Sequence, residues 1–106
     1  MAQDKRGTQV QMHGLVDGRK TVTSAGTAVP LSATSIQVDY VIIMAETDNT
    51  GYICVGASTV VATVLTRRGI PLYAGDTPLV LEAVDLSQVY IDSVVSGDGV
   101  TFLYES

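Results

Sequence analysis

The run Asp39-Tyr40-Val41-Ile42-Ile43-Met44-Ala45-Glu46 sets the terms for the whole chain. Its middle is apolar on both faces, and a turn cluster, Thr47-Asp48-Asn49-Thr50-Gly51, follows it directly. β-Branched side chains suit an extended backbone and crowd a helical one. The run is also shorter than the helices that bury a face. It reads as a central strand covered on both sides, with Tyr52-Ile53-Cys54-Val55-Gly56 as its hairpin partner.

The rest of the chain repeats this grammar. A weak extended signal at Val10, Met12, Leu15 and Val16 is broken by Gly14, and Asp17-Gly18 reads as a turn ahead of a strand at Arg19-Lys20-Thr21-Val22-Thr23. Ala28-Val29-Pro30-Leu31 is extended, and Pro30 places it at a sheet edge or a strand start. Residues 57–69 fit either a loop with a short strand or a helical turn closed by Gly69. Ile70-Pro71-Leu72 and Leu79-Val80-Leu81-Glu82 are strands, and Asp85 is placed to cap a single helical turn. Residues 88–94 form a strand, Ser96-Gly97-Asp98-Gly99 a tight hairpin turn, and Val100-Thr101-Phe102-Leu103-Tyr104 the last strand.

No connection holds a clear long amphipathic helix, which argues against parallel crossover units. The expected fold is all-β: a small β-sandwich or jelly roll of about eight short antiparallel strands, with an N-terminal extended arm. Residues 1–25 are read as a basic arm and residues 26–106 as the β-sandwich domain.

With 46% apolar and 16% charged residues, a disordered charge-rich chain is excluded. One Cys allows neither an internal disulfide nor a four-thiolate zinc site, so high stability would have to come from subunit association. No apolar run is long enough to span a membrane. Residues 1–7 lack the apolar stretch of a signal peptide, which points to maturation in a reducing cytoplasm.

Charge is unevenly placed. Residues 1–37 carry four basic side chains against two acidic ones, a balance of +2; residues 38–106 carry two against nine, a balance of −7. Such an acidic body repels phosphate, so no nucleic-acid partner is expected. The arm reads either as a solvated leader or as a docking arm for an acidic partner or neighbouring subunit.

Residues that could carry chemistry have simpler readings. His13 stands alone beside Gly14 in the first segment, a poor place to hold a catalytic imidazole. Cys54 between Ile53 and Val55 is a core filler. Asp48, Asp76, Asp85, Asp92 and Asp98 fall at turns or strand ends without calcium-loop spacing. Gly97-Asp98-Gly99 and Gly75-Asp76 lack the Lys-Ser/Thr and the helix of a phosphate cradle. The five tyrosines suit half-buried sheet faces and interface rims. No catalytic residue, metal site or cofactor is assigned. The candidate partner-binding residues are Lys5, Arg6, Arg19 and Lys20 in the arm, with Arg67 and Arg68 in the acidic body as solvated loop residues or a cross-subunit anchor.

Four phrases carry a family resemblance: Gly51-Tyr52-Ile53-Cys54-Val55-Gly56-Ala57-Ser58-Thr59-Val60, Gly69-Ile70-Pro71-Leu72-Tyr73-Ala74-Gly75-Asp76, Asp85-Leu86-Ser87-Gln88-Val89-Tyr90-Ile91-Asp92 and Ser96-Gly97-Asp98-Gly99-Val100-Thr101-Phe102-Leu103-Tyr104. In this order, residues 28–104 resemble small β-sandwich virion proteins of tailed bacteriophages. The resemblance implies a non-enzymatic virion structural protein, with a capsid decoration (cement) protein that stabilises the assembled head shell as the first choice. It implies a major capsid protein or another virion protein as partner, a homo-oligomer with a trimer favoured, no membrane, and residence on the virion head after synthesis in the host cytoplasm. The alternatives are a tail, neck or fibre module and a non-viral carbohydrate-binding β-sandwich.

Overall fold

Alternation along the last strand shows how the interior is built. Val100, Phe102 and Tyr104 are buried while Thr101 and Leu103 face outward, the two-residue period of a strand with one face in a core. The computed structural model describes residues 14–106. Its strands are β1 (Leu15–Thr21), β2 (Val29–Pro30), β3 (Gln37–Ala45), β4 (Ile53–Gly56), β5 (Ile70–Leu72), β6 (Leu79–Asp85), β7 (Tyr90–Ser93) and β8 (Gly99–Glu105). Two 3₁₀ turns, Val64–Thr66 and Leu86–Gln88, are the helical pieces, and no α-helix occurs among the described residues. Asp85 caps the second turn as expected, accepting from the Ser87 backbone N–H.

The strands form two antiparallel four-stranded sheets. The first has the order β1-β8-β3-β6 and the second β2-β7-β4-β5. Strands pair from the ends inward: β1 with β8, β2 with β7, β3 with β6, β4 with β5. The chain is thus one long hairpin rolled over on itself, the strand order of a jelly roll. Residues 57–69, between β4 and β5, are the tip of that hairpin.

Every other connection crosses between the sheets, and this corrects two expectations. β3 and β4 are not hairpin partners; they lie in opposite sheets. The same holds for β7 and β8, so residues 96–99 turn the chain between layers rather than within a ladder. Asp17-Gly18 is not a turn either. Both residues lie within β1, and glycine occupies position 18 because a Cβ there would meet the Phe102 ring at 2.5 Å. The sandwich therefore takes in residues 15–21, which the sequence reading assigned to the arm.

Between the sheets lie Val41, Ile43, Ala45, Ile53, Val55, Leu72, Ile91, Val100 and Phe102, closed at the ends by Val22, Leu31, Leu86 and Val89. Each of these side chains larger than alanine contributes about 1.5–3 kcal/mol by leaving water. A smaller cluster of Tyr52, Cys54, Val60 and Ala62 lies on the other side of β4, where the hairpin tip folds back over the second sheet. The strand covered on both faces is thus β4. β3, read from the sequence as doubly covered, buries Val41 and Ile43 but leaves Ile42 half-buried and Met44 exposed.

Candidate functional site

Two surfaces stand out, and the first is the hairpin tip. Its 3₁₀ turn holds Leu65 almost fully in solvent, 94% exposed, beside Val64 at 62%. Arg67 and Arg68 follow, both exposed. Leucine at such exposure usually sits on a mobile loop, but this loop is tied down. The Val61 and Arg68 backbones exchange two hydrogen bonds, 3.2 and 2.8 Å. The Ala62 N–H donates to the buried Asp92 carboxylate at 2.9 Å, and the Tyr52 hydroxyl donates to the Ala62 carbonyl. Gly69 ends the loop at φ +110°, where a Cβ would lie 2.7 Å from the Val55 carbonyl oxygen. No other residue fits both that φ and that approach.

The Arg67 guanidinium lies 5.2 Å from the centre of the Tyr52 ring, and Tyr73 tilts against the same ring at 5.2 Å. Tyr52 is the main cause of the raised Arg67 pKa, with hydrogen bonding to Tyr52 and Tyr73 adding to it. Cation–π contact and stacking hold the charge on one side of the loop. Beneath it, burial is the largest cause that pushes the Cys54 thiol pKa up; Asp92 adds to the rise and Arg67 opposes it. The thiol stays protonated, as suits a small apolar filler.

The second surface is the outer face of the first sheet. Registration across β8, β3 and β6 sets Leu103, Ile42 and Val80 in one row, with Met44 in the next. Val80 is 52% exposed and Met44 38%. A shallow groove of about 550 Å³ runs between this apolar row and β1, bounded by Asp17 and Arg19. Glu82 and Glu105 flank Tyr40 one row further on. Nothing within the described chain covers this face.

The partner-binding residues read from sequence are not gathered together. Lys5, Arg6 and also His13 lie outside the described residues. Arg19 lies in β1 and makes a bidentate contact with Glu46, which is the main cause of its raised pKa. Lys20, half-buried, stands opposite Val100 in the same ladder. Arg67 and Arg68 belong to the other sheet's loop.

Four of the five singled-out aspartates hold backbone. Asp92 accepts from Gly26 and Ala62, Asp98 from Thr50 and Gly51, and Asp76 from Tyr73. Asp85 accepts from Ser35, Ile36 and Ser87, which lowers its pKa to about 2, with the Ser35 hydroxyl the largest cause. Asp92, expected at a turn or strand end, is buried within β7. Among the described residues, no three acidic, thiol or imidazole groups gather as metal ligands, and no helix is long and apolar enough to cross a membrane.

Sequence reasoning missed Leu65 and the Ile42–Met44–Val80–Leu103 face. A signal for the first was present: residues 57–69 contain no acid, and apolar Val64-Leu65 adjoins the two arginines without strand-like alternation. Comparison with family models, with curated proteins and with solved structures finds no match.

Proposed function

We propose that this chain is a non-enzymatic structural protein that works through its surfaces, and specifically a decoration (cement) subunit of a tailed-phage head. The observation that supports this most is the Leu65 apex: an apolar side chain held in solvent on a firmly tied loop at the tip of the rolled hairpin. Exposing it has a hydration cost that a protein contact removes. A cement protein binds the assembled shell and not dispersed capsid subunits, so it stabilises the shell by mass action. Repeated weak sites add avidity. On this reading the protein is made in the host cytoplasm, ends on the head surface, and acts as a homo-oligomer, with a trimer favoured.

Lys5, Arg6 and Lys20 supply a cationic contact to an acidic shell surface in this proposal, while Arg19 is already neutralised by Glu46. Exposed pairs contribute about 0–1 kcal/mol each and are screened by salt. The test mixes purified protein with assembled heads and with free capsid subunits, and follows binding and shell disruption temperature across a salt series. Binding to heads alone, weakened by salt and by removal of residues 2–13, is expected. The truncation stops before Leu15 so that β1 stays whole. Equal binding to both forms, or binding only to tail or fibre components or to glycans, overturns the cement reading.

A further inference from the structure

We propose that copies of this chain associate head to tail, the Leu65 loop of one copy seating in the groove on the outer first-sheet face of the next. Three observations point to a second copy as the occupant.

The two surfaces differ in shape. One is a leucine protruding from an exposed turn, and the other is a shallow groove of about 550 Å³ floored by Ile42, Met44 and Leu103. They are also opposite in charge. Residues 57–69 carry Arg67 and Arg68 and no acid. The groove's surroundings carry Asp17, Glu82 and Glu105, while their cation, Arg19, is held by Glu46. Finally, like does not match like. Two tips face to face would oppose four arginines, and two sheet faces would oppose their acids, so both isologous dimers are disfavoured and the heterologous contact is favoured.

The tip lies over the second sheet and the groove on the outside of the first. A contact between them cannot form within one chain, and each copy keeps one free tip and one free groove. Such contacts extend until rotation closes a ring. The inference assigns the Leu65 loop, on which the cement reading also draws, to contact between copies; association is measured on the protein alone, without shells, so failure of one reading is distinguishable from failure of the other.

The experiment is sedimentation equilibrium of the wild type from micromolar to millimolar concentration, beside Leu65→Asp, Met44→Asp and a second groove variant, Leu103→Asp. All three positions are solvent-exposed, and circular dichroism with thermal unfolding establishes that each variant is folded. Wild type is expected to associate, and more weakly in added salt. Each variant alone is expected to dissociate about tenfold more readily or worse, as removal of an anchor does. The deciding step is mixing. Leu65→Asp keeps its groove and Met44→Asp keeps its tip, so an equimolar mixture is expected to give a one-to-one dimer that grows no further. A monomeric wild type at every concentration overturns the proposal. So does undiminished association of Leu65→Asp, or a mixture that shows no heterodimer.

Discussion

The Asn49 side chain and the Gly99 backbone exchange two hydrogen bonds, both 2.9 Å: the amide Nδ2 donates to the Gly99 carbonyl, and the Gly99 N–H donates to Oδ1. The Gly99 carbonyl also accepts from the Glu46 backbone N–H at 3.0 Å, so the side chain extends the β3–β8 ladder by one more pair of bonds. The pair fastens the turn after β3, where the chain leaves the first sheet, to the start of β8, where it last enters it. Asn49→Asp removes the donor and adds a charge near Asp98, whose carboxylate already accepts from Thr50 and Gly51. A loss of about 1–3 kcal/mol in urea unfolding is expected, with Asn49→Ala in the same range.

Asp92 ties two loops to the outer face of the second sheet from a position 1% exposed. Replacing it by alanine leaves the Gly26 and Ala62 N–H groups without acceptors. Each charge-assisted bond contributes about 1.5–3 kcal/mol, so Asp92→Ala is expected to cost at least about 3 kcal/mol. Asp92→Asn keeps one acceptor and is expected to lose less. In hydrogen exchange the Gly26 and Ala62 amides lose protection first, because they are the groups cut loose.

Asp85 makes stability depend on acid. Hydrogen bonds from Ser35, then Ser87, hold its pKa at about 2 instead of the ordinary 3.8. The folded value lies below the unfolded one, so its contribution is complete above about pH 4 and is lost as pH falls toward 2. Unfolding followed across this window is expected to show a slope that Asp85→Asn flattens. Ser35→Ala is expected to raise the carboxyl's titration midpoint by nuclear magnetic resonance.

Ala83 adopts φ +55° within β6. The left-handed region costs a residue with a Cβ about 1–2 kcal/mol, and glycine escapes most of that. Ala83 is exposed, so little packing is lost with its methyl group. Ala83→Gly is expected to stabilise the protein by up to about 1 kcal/mol in thermal unfolding, against the usual direction for glycine in a strand. The inward-facing residues change parity at this point in both paired strands, from Val41 to Val38 in β3 and from Leu81 to Val84 in β6. The unusual φ thus accompanies a local switch of face.

The sequence by itself determined the kind of element for most strands, though not at Asp17-Gly18 or across residues 57–69. Val, Ile and Thr runs between glycine and aspartate turns became strands, Pro30 and Pro71 lie on the edge strands β2 and β5, and Asp85 caps its turn. These are local effects: a fixed φ, a crowded rotamer, a side-chain oxygen near an orphan N–H. What only the tertiary structure decided is which strand meets which. Turn residues report that the chain changes direction, not whether it stays in its sheet or crosses to the other, so β3–β4 and β7–β8 looked like hairpins and are layer crossings. Pairing β1 with β8 depends on residues about eighty positions apart, and Gly18 makes sense only once the Phe102 ring lies against it. The candidate surfaces were hidden for the same reason. Leu65 and Met44 are ordinary apolar letters until the fold covers one side of the sandwich with its own hairpin tip and, among the described residues, leaves the other side bare.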